Sequence, residues 1–203
     1  MARRNDHTRD ELKELILDSA WRLVEARGAE GVTARAIAKD IGYTPGTIYN
    51  LYASMGDIYL HMNARTLDLL AETLATNSTD ESPKSAIKAM ALRYMQFTQT
   101  HRAKWQLLFN LQVTDGRDDA DWYHAKVEQI FEPLQNAVAA CLPHLERDKL
   151  RASARMLWAS VHGLCVLQGV DKLSLLVEQK AADSMIHEVV DVFIAGLQNG
   201  KSR

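Results

Sequence analysis

Apolar residues recur every three to four positions along most of the chain, and this spacing is typical of amphipathic helices. One such stripe begins at Leu12, Ile16 and Ala20, and a capping-box pattern, from Thr8 to Glu11, precedes it. The chain contains no run of alternating β-branched residues that would indicate strands. The pattern therefore predicts an all-α fold of about nine helices.

Two short helices joined by a glycine are predicted near the N-terminus. Thr33 is placed to cap the first of them, and Gly42 is placed to end it in a left-handed conformation. Thr44 and Pro45 then form the start of the second helix. Such a pair is the sequence shape of a helix-turn-helix, although an ordinary helical corner has the same spacing.

Further apolar stripes predict the remaining helices and the division of the chain. A long helix is expected from Met55 to about Ala75, and a polar, turn-rich segment follows it. Val127 to Cys141 keep one apolar register through Pro133, which favours one kinked helix over a break. We therefore expect three regions, a helix-turn-helix domain, a connecting helix and a helical ligand-binding and dimerisation domain, over residues 1–54, 55–76 and 77–203.

The N-terminal part resembles the DNA-binding domain of the TetR family of transcriptional regulators. The resemblance covers residues 9–58 and is carried by the first-helix stripe and by four segments: Thr33-Ala-Arg-Ala-Ile-Ala, Ile41-Gly42, Thr44-Pro-Gly-Thr-Ile-Tyr-Asn-Leu-Tyr52 and Ser54-Met-Gly-Asp-Ile58. It implies that the second short helix is a recognition helix that lies in the major groove of DNA.

The resemblance implies a set of DNA contacts, with Tyr52 assigned to the core. Asn50 is suited to a paired hydrogen bond with adenine, Pro45 to a thymine methyl group and Tyr49 to a phosphate oxygen. Gly46, at the start of the recognition helix, has no side chain and so lets the DNA backbone approach closely. The complete predicted set is Thr33, Arg35, Thr44, Pro45, Gly46, Thr47, Tyr49 and Asn50.

The charge distribution qualifies this prediction. The whole chain carries a formal net charge of -2, and the recognition helix contains no Lys or Arg. Family members commonly have lysine where this chain has Met55, so one phosphate contact is expected to be missing. We therefore expect modest affinity and a shallow dependence on salt. Arg3, Arg4, Arg9, Arg35 and Lys39 are the candidate phosphate-binding cations.

The C-terminal half contains Trp158-Ala-Ser-Val-His162-Gly163, which resembles the Trp-x-x-x-His-Gly signature of one C-terminal domain type in the family. The family resemblance implies a small-molecule effector cavity and a homodimer formed by the last two long helices, where Gly163 and Gly169 permit close helix approach. The candidate cavity residues, each of which is also suited to an ordinary core, are Met90, Tyr94, Trp105, Phe109, Trp122, Phe131, Trp158 and His162.

Other chemistry is not indicated. The seven histidines and the two cysteines, Cys141 and Cys165, have no spacing suited to a metal, and no glycine-rich phosphate loop is evident. We therefore expect no catalytic residues, no metal and no cofactor. The N-terminal residues lack the apolar core of a signal peptide and no stretch is long enough to cross a bilayer, so a cytoplasmic protein without membrane contact is expected.

The function expected from these features is a ligand-responsive transcriptional regulator that binds double-stranded DNA. Its most favoured form is a homodimeric repressor that releases a palindromic operator when a small apolar or aromatic molecule binds. The alternative is a helical protein-interaction adaptor without specific DNA binding, which the neutral charge and the uncharged recognition helix favour.

Overall fold

The computed structural model describes residues 7–75, 82–110, 121–169 and 182–199, and these residues contain nine α-helices, one short 3₁₀ helix and no strand. The predicted all-α fold is confirmed. The α-helices are α1 (Arg9–Arg27), α2 (Ala34–Ile41), α3 (Pro45–Tyr49), α4 (Met55–Leu74), α5 (Pro83–Thr100), α6 (Arg102–Asn110), α7 (Asp121–Cys141), α8 (Arg147–Gly169) and α9 (Ala182–Asn199).

The helix boundaries follow local capping chemistry. Thr8 and Glu11 form the predicted capping box of α1, in which each side chain accepts a hydrogen bond from the backbone of the other residue. Gly28 ends α1 with a positive φ of 72°. α7 runs without a break through Pro133, as the continuous apolar register indicated. The candidate cations Arg3 and Arg4 lie outside the described residues.

The described helices form two compact units. The first consists of the described residues of Met1–Thr66 and Ala103–Tyr123, and the second of those of Leu67–Arg102 and His124–Arg203. This division differs from the predicted boundaries, because α4 contributes to both units and most of α6 belongs to the first unit. Leu107 of α6 is 2% exposed within the first unit's core, which explains this placement.

The core of the first unit is built from α1, α2, α3, the beginning of α4 and α6. Its fully buried side chains include Ile16, Ile37, Ile48 and Met62, which come from four different helices. Burial of this apolar area stabilises the unit, since a large aliphatic side chain contributes about 1.5–3 kcal/mol when buried. The short helices therefore depend on this shared core as well as on their caps.

The second unit consists of longer helices. α5 packs against α8 and α9, and α8 packs against α9. Leu157, Val161, Ile186 and Val190 supply buried side chains from α8 and α9. Lys84 and Lys88 of α5 both form ion pairs with Asp191 of α9, which fixes the pairing of these two helices at their surface.

Candidate nucleic-acid interface and internal cavity

α2 is defined by a cap at each end. The Thr33 hydroxyl accepts a hydrogen bond from the backbone N–H of Ala36 at 3.1 Å. Gly42 has a left-handed conformation, with φ 76°, and its N–H donates to the carbonyl oxygen of Ala38. A residue with a Cβ rarely adopts this conformation, so glycine is required where the chain turns from α2 towards α3.

α3 has only five residues, and its first turn is held by side chains. The Thr44 hydroxyl accepts a hydrogen bond from the Thr47 N–H at 3.3 Å, and the two threonine hydroxyls lie 3.0 Å apart. Pro45 occupies the first turn, where no backbone N–H is needed. The Asn50 N–H donates to the carbonyl oxygen of Gly46 at 3.1 Å and ends the helix.

Two side chains fix α3 to the rest of the first unit. Ile48 is fully buried, and Tyr52 is 2% exposed, so Tyr52 is the core residue that we predicted. The Tyr52 hydroxyl donates to the carbonyl oxygen of Lys13 in α1 at 3.4 Å. Burial raises the pKa of Tyr52 to about 12, so its hydroxyl stays protonated as a donor.

The predicted DNA-contact residues lie on the opposite side of these buried anchors. Tyr49 is 50% exposed, and Asn50 beside it is also exposed, whereas Thr47 is half-buried because its hydroxyl faces Thr44. The others, Thr33, Arg35, Thr44, Pro45 and Gly46, are exposed. α3 thus presents uncharged groups to solvent, and α2 adds the exposed cation Arg35.

Of the charged side chains of α2, the acidic one forms an ion pair with α1, whereas the two basic ones are exposed. Asp40 accepts hydrogen bonds from Arg22 and from the Ser19 hydroxyl, both at 2.7 Å, and these bonds lower the pKa of its carboxyl group. Arg35 and Lys39 are exposed and have no ion-pair partner in the described part of the chain. These two α2 cations are therefore available to an external anion, whereas the carboxylate of Asp40 is paired with Arg22.

α4 begins with the predicted capping arrangement. The Ser54 hydroxyl accepts from the Asp57 N–H at 3.1 Å, and the Asp57 carboxylate accepts from the Ala53 N–H at 2.8 Å. Met55 is half-buried and packs against the core of the first unit. Position 55, where the family resemblance leads us to expect lysine, thus holds a side chain that packs against apolar residues.

Two tyrosines that the sequence analysis did not single out hold the loops around α2. The Tyr43 hydroxyl lies 2.8 Å from Nδ1 of His7, and the Tyr59 hydroxyl donates to the carbonyl oxygens of Ala29 and Val32. Their partners are far away in sequence or are backbone atoms, so no spacing in the sequence could have revealed them.

The second unit contains a small cavity between its helices, about 50 Å³ in volume and partly open to solvent, which we call the internal cavity. Four of the eight predicted cavity residues line it, namely Met90, Tyr94, Phe131 and Trp158, and they come from α5, α7 and α8. The cavity also has seven lining residues outside the predicted set: Leu74, Ile87, Ala91, Ile130, Leu134, Leu157 and Val161. Aliphatic residues at helical spacing give no sign of whether they face a cavity or a filled core, so the sequence could not single them out.

Tyr94 lines this cavity, and its hydroxyl lies 2.8 Å from Nδ1 of His162. His162 is half-buried, and burial lowers the pKa of its imidazole, so the ring is neutral at pH 7. The ring of Trp158, one turn earlier in α8, is 4.9 Å from that of His162. The cavity wall is therefore uncharged and largely aromatic and aliphatic.

The other three predicted cavity residues belong to the first unit. Trp105 is buried beside Phe109 in α6, with the ring centroids 5.6 Å apart, and Phe109 is 47% exposed. Trp122 stacks on His61 of α4 at 5.0 Å. None of the three lines the cavity described above, because helical periodicity marks an apolar face without identifying the core that the face joins.

α8 and α9 carry exposed apolar side chains. Val192 of α9 is 67% exposed and Met156 of α8 is 52% exposed. A shallow depression on this side is lined by Ser160, Met185, Glu188, Val189, Val192 and Phe193. Exposed apolar groups on neighbouring helices are typical of a surface that binds another protein.

Neither a metal site nor a membrane span is found in the part of the chain that the structure describes. No three or more His, Cys, Asp or Glu side chains gather there in a metal-binding group. None of the described helices combines the length and the apolar character that crossing a membrane requires. Burial raises the pKa of Cys165 to about 11, which leaves its thiol protonated.

Comparisons with known proteins agree with this architecture. The family model for the tetracyclin repressor-like C-terminal domain matches residues 87–193, and that for bacterial regulatory proteins of the tetR family matches residues 16–62. YobS of Bacillus subtilis (strain 168), described as an uncharacterized HTH-type transcriptional regulator, is 24% identical over 187 residues, which cover 91% of this chain and 92% of YobS.

Solved structures share the fold. A protein with unknown function from Rhodococcus sp. RHA1 superposes with a TM-score of 0.74 at 17% identity, covering 97% of this chain and 99% of its own. A TetR-like transcriptional regulator from the same source superposes with a TM-score of 0.63 at 17% identity, covering 94% of this chain and 99% of its own. With one family model matching more than half of its length, the chain belongs to the TetR family of bacterial transcriptional regulators.

Proposed function

We propose that the chain is a homodimeric, ligand-responsive repressor that acts in the cytoplasm, has no catalytic role and releases a palindromic operator when a small apolar or aromatic molecule binds. The observation that carries the DNA-binding part is the geometry of α3. Ile48 and Tyr52 anchor this short helix in the core, while Tyr49 and Asn50 are exposed. A capped, rigidly anchored helix with exposed polar groups is what major-groove binding requires.

We assign base contacts to α3. The Asn50 amide would bond to adenine, Pro45 would touch a thymine methyl group, and Thr44 and Thr47 would contact base edges or phosphate. Gly46 supports this assignment. A Cβ built on Gly46 would meet only the Thr44 hydroxyl at 3.8 Å, an ordinary contact, so the protein itself leaves room for a side chain here. The need for glycine would then come from the approach of DNA.

We assign phosphate contacts to α2 and to the hydroxyl of Tyr49. Thr33 and Arg35 lie at the beginning of α2, where exposed N–H groups favour an anion. Lys39 is a further exposed cation of α2. Met55 packs against the core, so few cations remain to bind DNA phosphates. This supports the expectation that DNA affinity depends only weakly on salt concentration.

We assign the dimer contact to the exposed apolar face of α8 and α9. Val192 and Met156 would be covered by a second copy, and Gly163 would permit close approach, since no atom lies within 4 Å of a Cβ built there. Two-fold pairing places two recognition helices on a palindromic site. Val192→Asp should convert the dimer to a monomer in analytical ultracentrifugation, whereas Gln96→Asp, on an exposed part of α5, should leave it intact.

We assign the effector site to the internal cavity of the second unit, retaining Met90, Tyr94, Phe131 and Trp158 as wall residues and His162 as the partner of the Tyr94 hydroxyl. A neutral, apolar wall favours an uncharged ligand, because a buried unpaired charge is costly. α4 is the proposed coupling element. Its Ile58 lies in the first unit's core and its Leu74 lines the cavity. A ligand that displaces Leu74 would thereby change the separation of the two recognition helices in the proposed dimer.

A gel-shift measurement on the DNA that flanks the chain's own gene tests the proposal. Asn50→Ala should weaken binding by about 1–3 kcal/mol, or roughly five- to 150-fold. Gln96→Ala, which removes an exposed carboxamide from the second unit, should leave binding unchanged. If Asn50→Ala binds like the unaltered dimer, the site assignment is wrong, and absence of any shift at low salt would favour the adaptor instead.

A further inference from the structure

The internal cavity is too small for an effector as it stands. Its volume of about 50 Å³ is that of one or two water molecules, whereas sites for small molecules usually measure about 300–1,000 Å³. An effector site at this place therefore has to include additional space.

Such space lies directly beside it. An open groove of about 540 Å³ is formed by α4, α5 and α7. Small side chains create it, since Ala71, Ala75, Ala86 and Ala137 line its walls. In the described part of the chain, Met90 is the one side chain that lines both this groove and the internal cavity.

Met90 has the properties of a movable partition. It is 6% exposed, and its unbranched thioether has several rotatable bonds, which lets methionine adapt to irregular space at low cost. Rotation of this side chain would join cavity and groove into one elongated site within the usual size range.

The two parts of this joined site differ in chemistry. The inner part is apolar, and its Tyr94 hydroxyl faces the neutral imidazole of His162. The outer part adds polar groups of balanced charge to its alanine walls, because Arg93 and Glu132 line it together with two carboxamides, Gln129 and Asn136. This arrangement suits a ligand with one apolar end and one uncharged end that both donates and accepts hydrogen bonds.

We propose that the effector is a neutral amphiphile, of the class of medium-chain alcohols and amides, which enters from the α4–α5–α7 groove and displaces Met90 to place its apolar end in the cavity. This inference rests on the proposed effector site and adds to it the ligand class, the entry side and the partition.

The first test uses the fluorescence of N-phenylnaphthylamine, a neutral apolar probe, titrated into the full chain without DNA. Met90→Ala removes the partition and should tighten binding about fivefold or more, because the open site no longer has to be selected from a minor population. Met95→Ala is the matched control, since Met95 is equally buried on α5 but lines neither space, and it should stay within about twofold of the unaltered chain.

Met90→Leu keeps the volume and stiffens the side chain, so it is a second variant with little risk to folding. It should weaken probe binding about threefold, because fewer rotamers open the partition. Circular dichroism verifies that each variant is folded. Equal affinity of Met90→Ala, Met90→Leu and the unaltered chain, or no saturable binding by any of them, would overturn the partition.

The second test concerns the head group. Decanol should displace the probe at about tenfold lower concentration than decanoate, because an anionic head is costly to desolvate and meets the repulsion of Glu132 as well as the attraction of Arg93. Glu132→Gln should reduce this preference about threefold by removing the repelling charge. A preference for decanoate in the unaltered chain would assign the site to anions and refute the neutral class.

These outcomes are separate from those of the proposed function. Probe binding that follows the Met90 variants, together with operator binding that ignores decanol, would support the site and refute ligand-responsive repression. Operator release by decanol with no effect of Met90 substitutions would support repression and refute the partition.

Discussion

The two units of this chain differ in the length of their helices and in how completely those helices pack. The first unit holds very short helices, such as α3 with five residues, in place with side-chain caps and a shared core. The second unit has helices of 18 to 23 residues in α5, α7, α8 and α9, but leaves a cavity inside and apolar side chains outside. A surface that reads DNA has to be rigid, whereas a site that responds to a ligand needs space and alternative packing.

The glycines express the same contrast. Gly42 is required by the fold itself, since its φ is 76°. Gly46 and Gly163 have no close neighbours in the chain that would exclude a Cβ. We therefore propose that Gly46 leaves room for DNA and that Gly163 leaves room for a second copy of the chain.

The largest expected effect comes from the two cores. Ile48→Ala in the first unit and Leu157→Ala in the second should each cost about 3 kcal/mol of unfolding free energy. Hydrogen exchange, measured peptide by peptide, should show the loss in the unit that carries the substitution. Only Ile48→Ala should reduce operator binding, while Leu157→Ala, which enlarges the cavity, should raise probe affinity. Equal loss of operator binding in both variants would contradict the division of roles.

The next effect separates folding from recognition at Gly46. Gly46→Ala should leave the unfolding free energy unchanged or raise it by up to about 1 kcal/mol, because alanine favours the helix. Operator affinity should nevertheless fall about tenfold. Gly163→Ala is the counterpart in the second unit and should weaken dimerisation instead. Urea unfolding, gel shifts and ultracentrifugation measure the three quantities, and unimpaired operator binding by Gly46→Ala would remove the argument for close DNA approach.

Loss of a helix cap should matter more in the first unit. Thr44→Ala should cost about 1 kcal/mol and expose α3 to hydrogen exchange, because five residues cannot hold a helix without their cap. Ser82→Ala removes the equivalent cap of α5, whose 18 residues should fray only at the first turn. Thr44→Ser keeps the hydroxyl and serves as the control. If both alanine variants lose protection over the whole helix, helix length does not make the difference.

A smaller effect concerns the number of contacts between the protein and DNA phosphates. Met55→Lys should steepen the salt dependence of operator binding by about 0.9 in the log–log slope, the value for one added phosphate contact. The lysine stem can keep the apolar packing of Met55 while its ammonium group reaches solvent. Gln96→Lys adds the same charge to an exposed position of the second unit and should change the slope little. Equal slopes for both lysine variants would mean that net charge alone is responsible.

The smallest effect is on pH dependence, since burial lowers the pKa of His61 in the first unit and of His162 in the second. In the folded chain these imidazoles take up protons less readily than at their ordinary pKa of 6.5, so the unfolding free energy should fall as pH drops below that value. His61→Gln and His162→Gln should each remove part of this fall. Urea unfolding at several pH values measures it, and a fall that persists unchanged in the double variant would contradict the assignment.

Much of the first unit was predictable because its signals are local. Thr8, Thr33 and Thr44 cap helices through backbone atoms three residues away, and Gly42 ends α2 by its own conformation. The resemblance to a known family added predicted roles for exposed residues, and these stay predictions. What local signals could not provide is the pairing of Asp40 with Arg22, since those residues meet only when α1 and α2 pack.

The second unit shows the limit of such signals. Periodicity correctly placed Met90, Tyr94, Phe131 and Trp158 on apolar faces, and the same reasoning placed Trp105 and Trp122 with them, although these belong to the first unit. A helical stripe states which side of a helix avoids water and not which core receives it.

The sequence by itself determined the all-α class, the caps, the helix-turn-helix and the family, because these depend on spacing and on backbone chemistry within a few residues. Only the tertiary structure decided that Met55 packs inward, that α6 joins the first unit and that Met90 separates a small cavity from an open groove. Cavities and packing partners arise between helices that are distant along the chain, so their positions depend on how whole helices fit together.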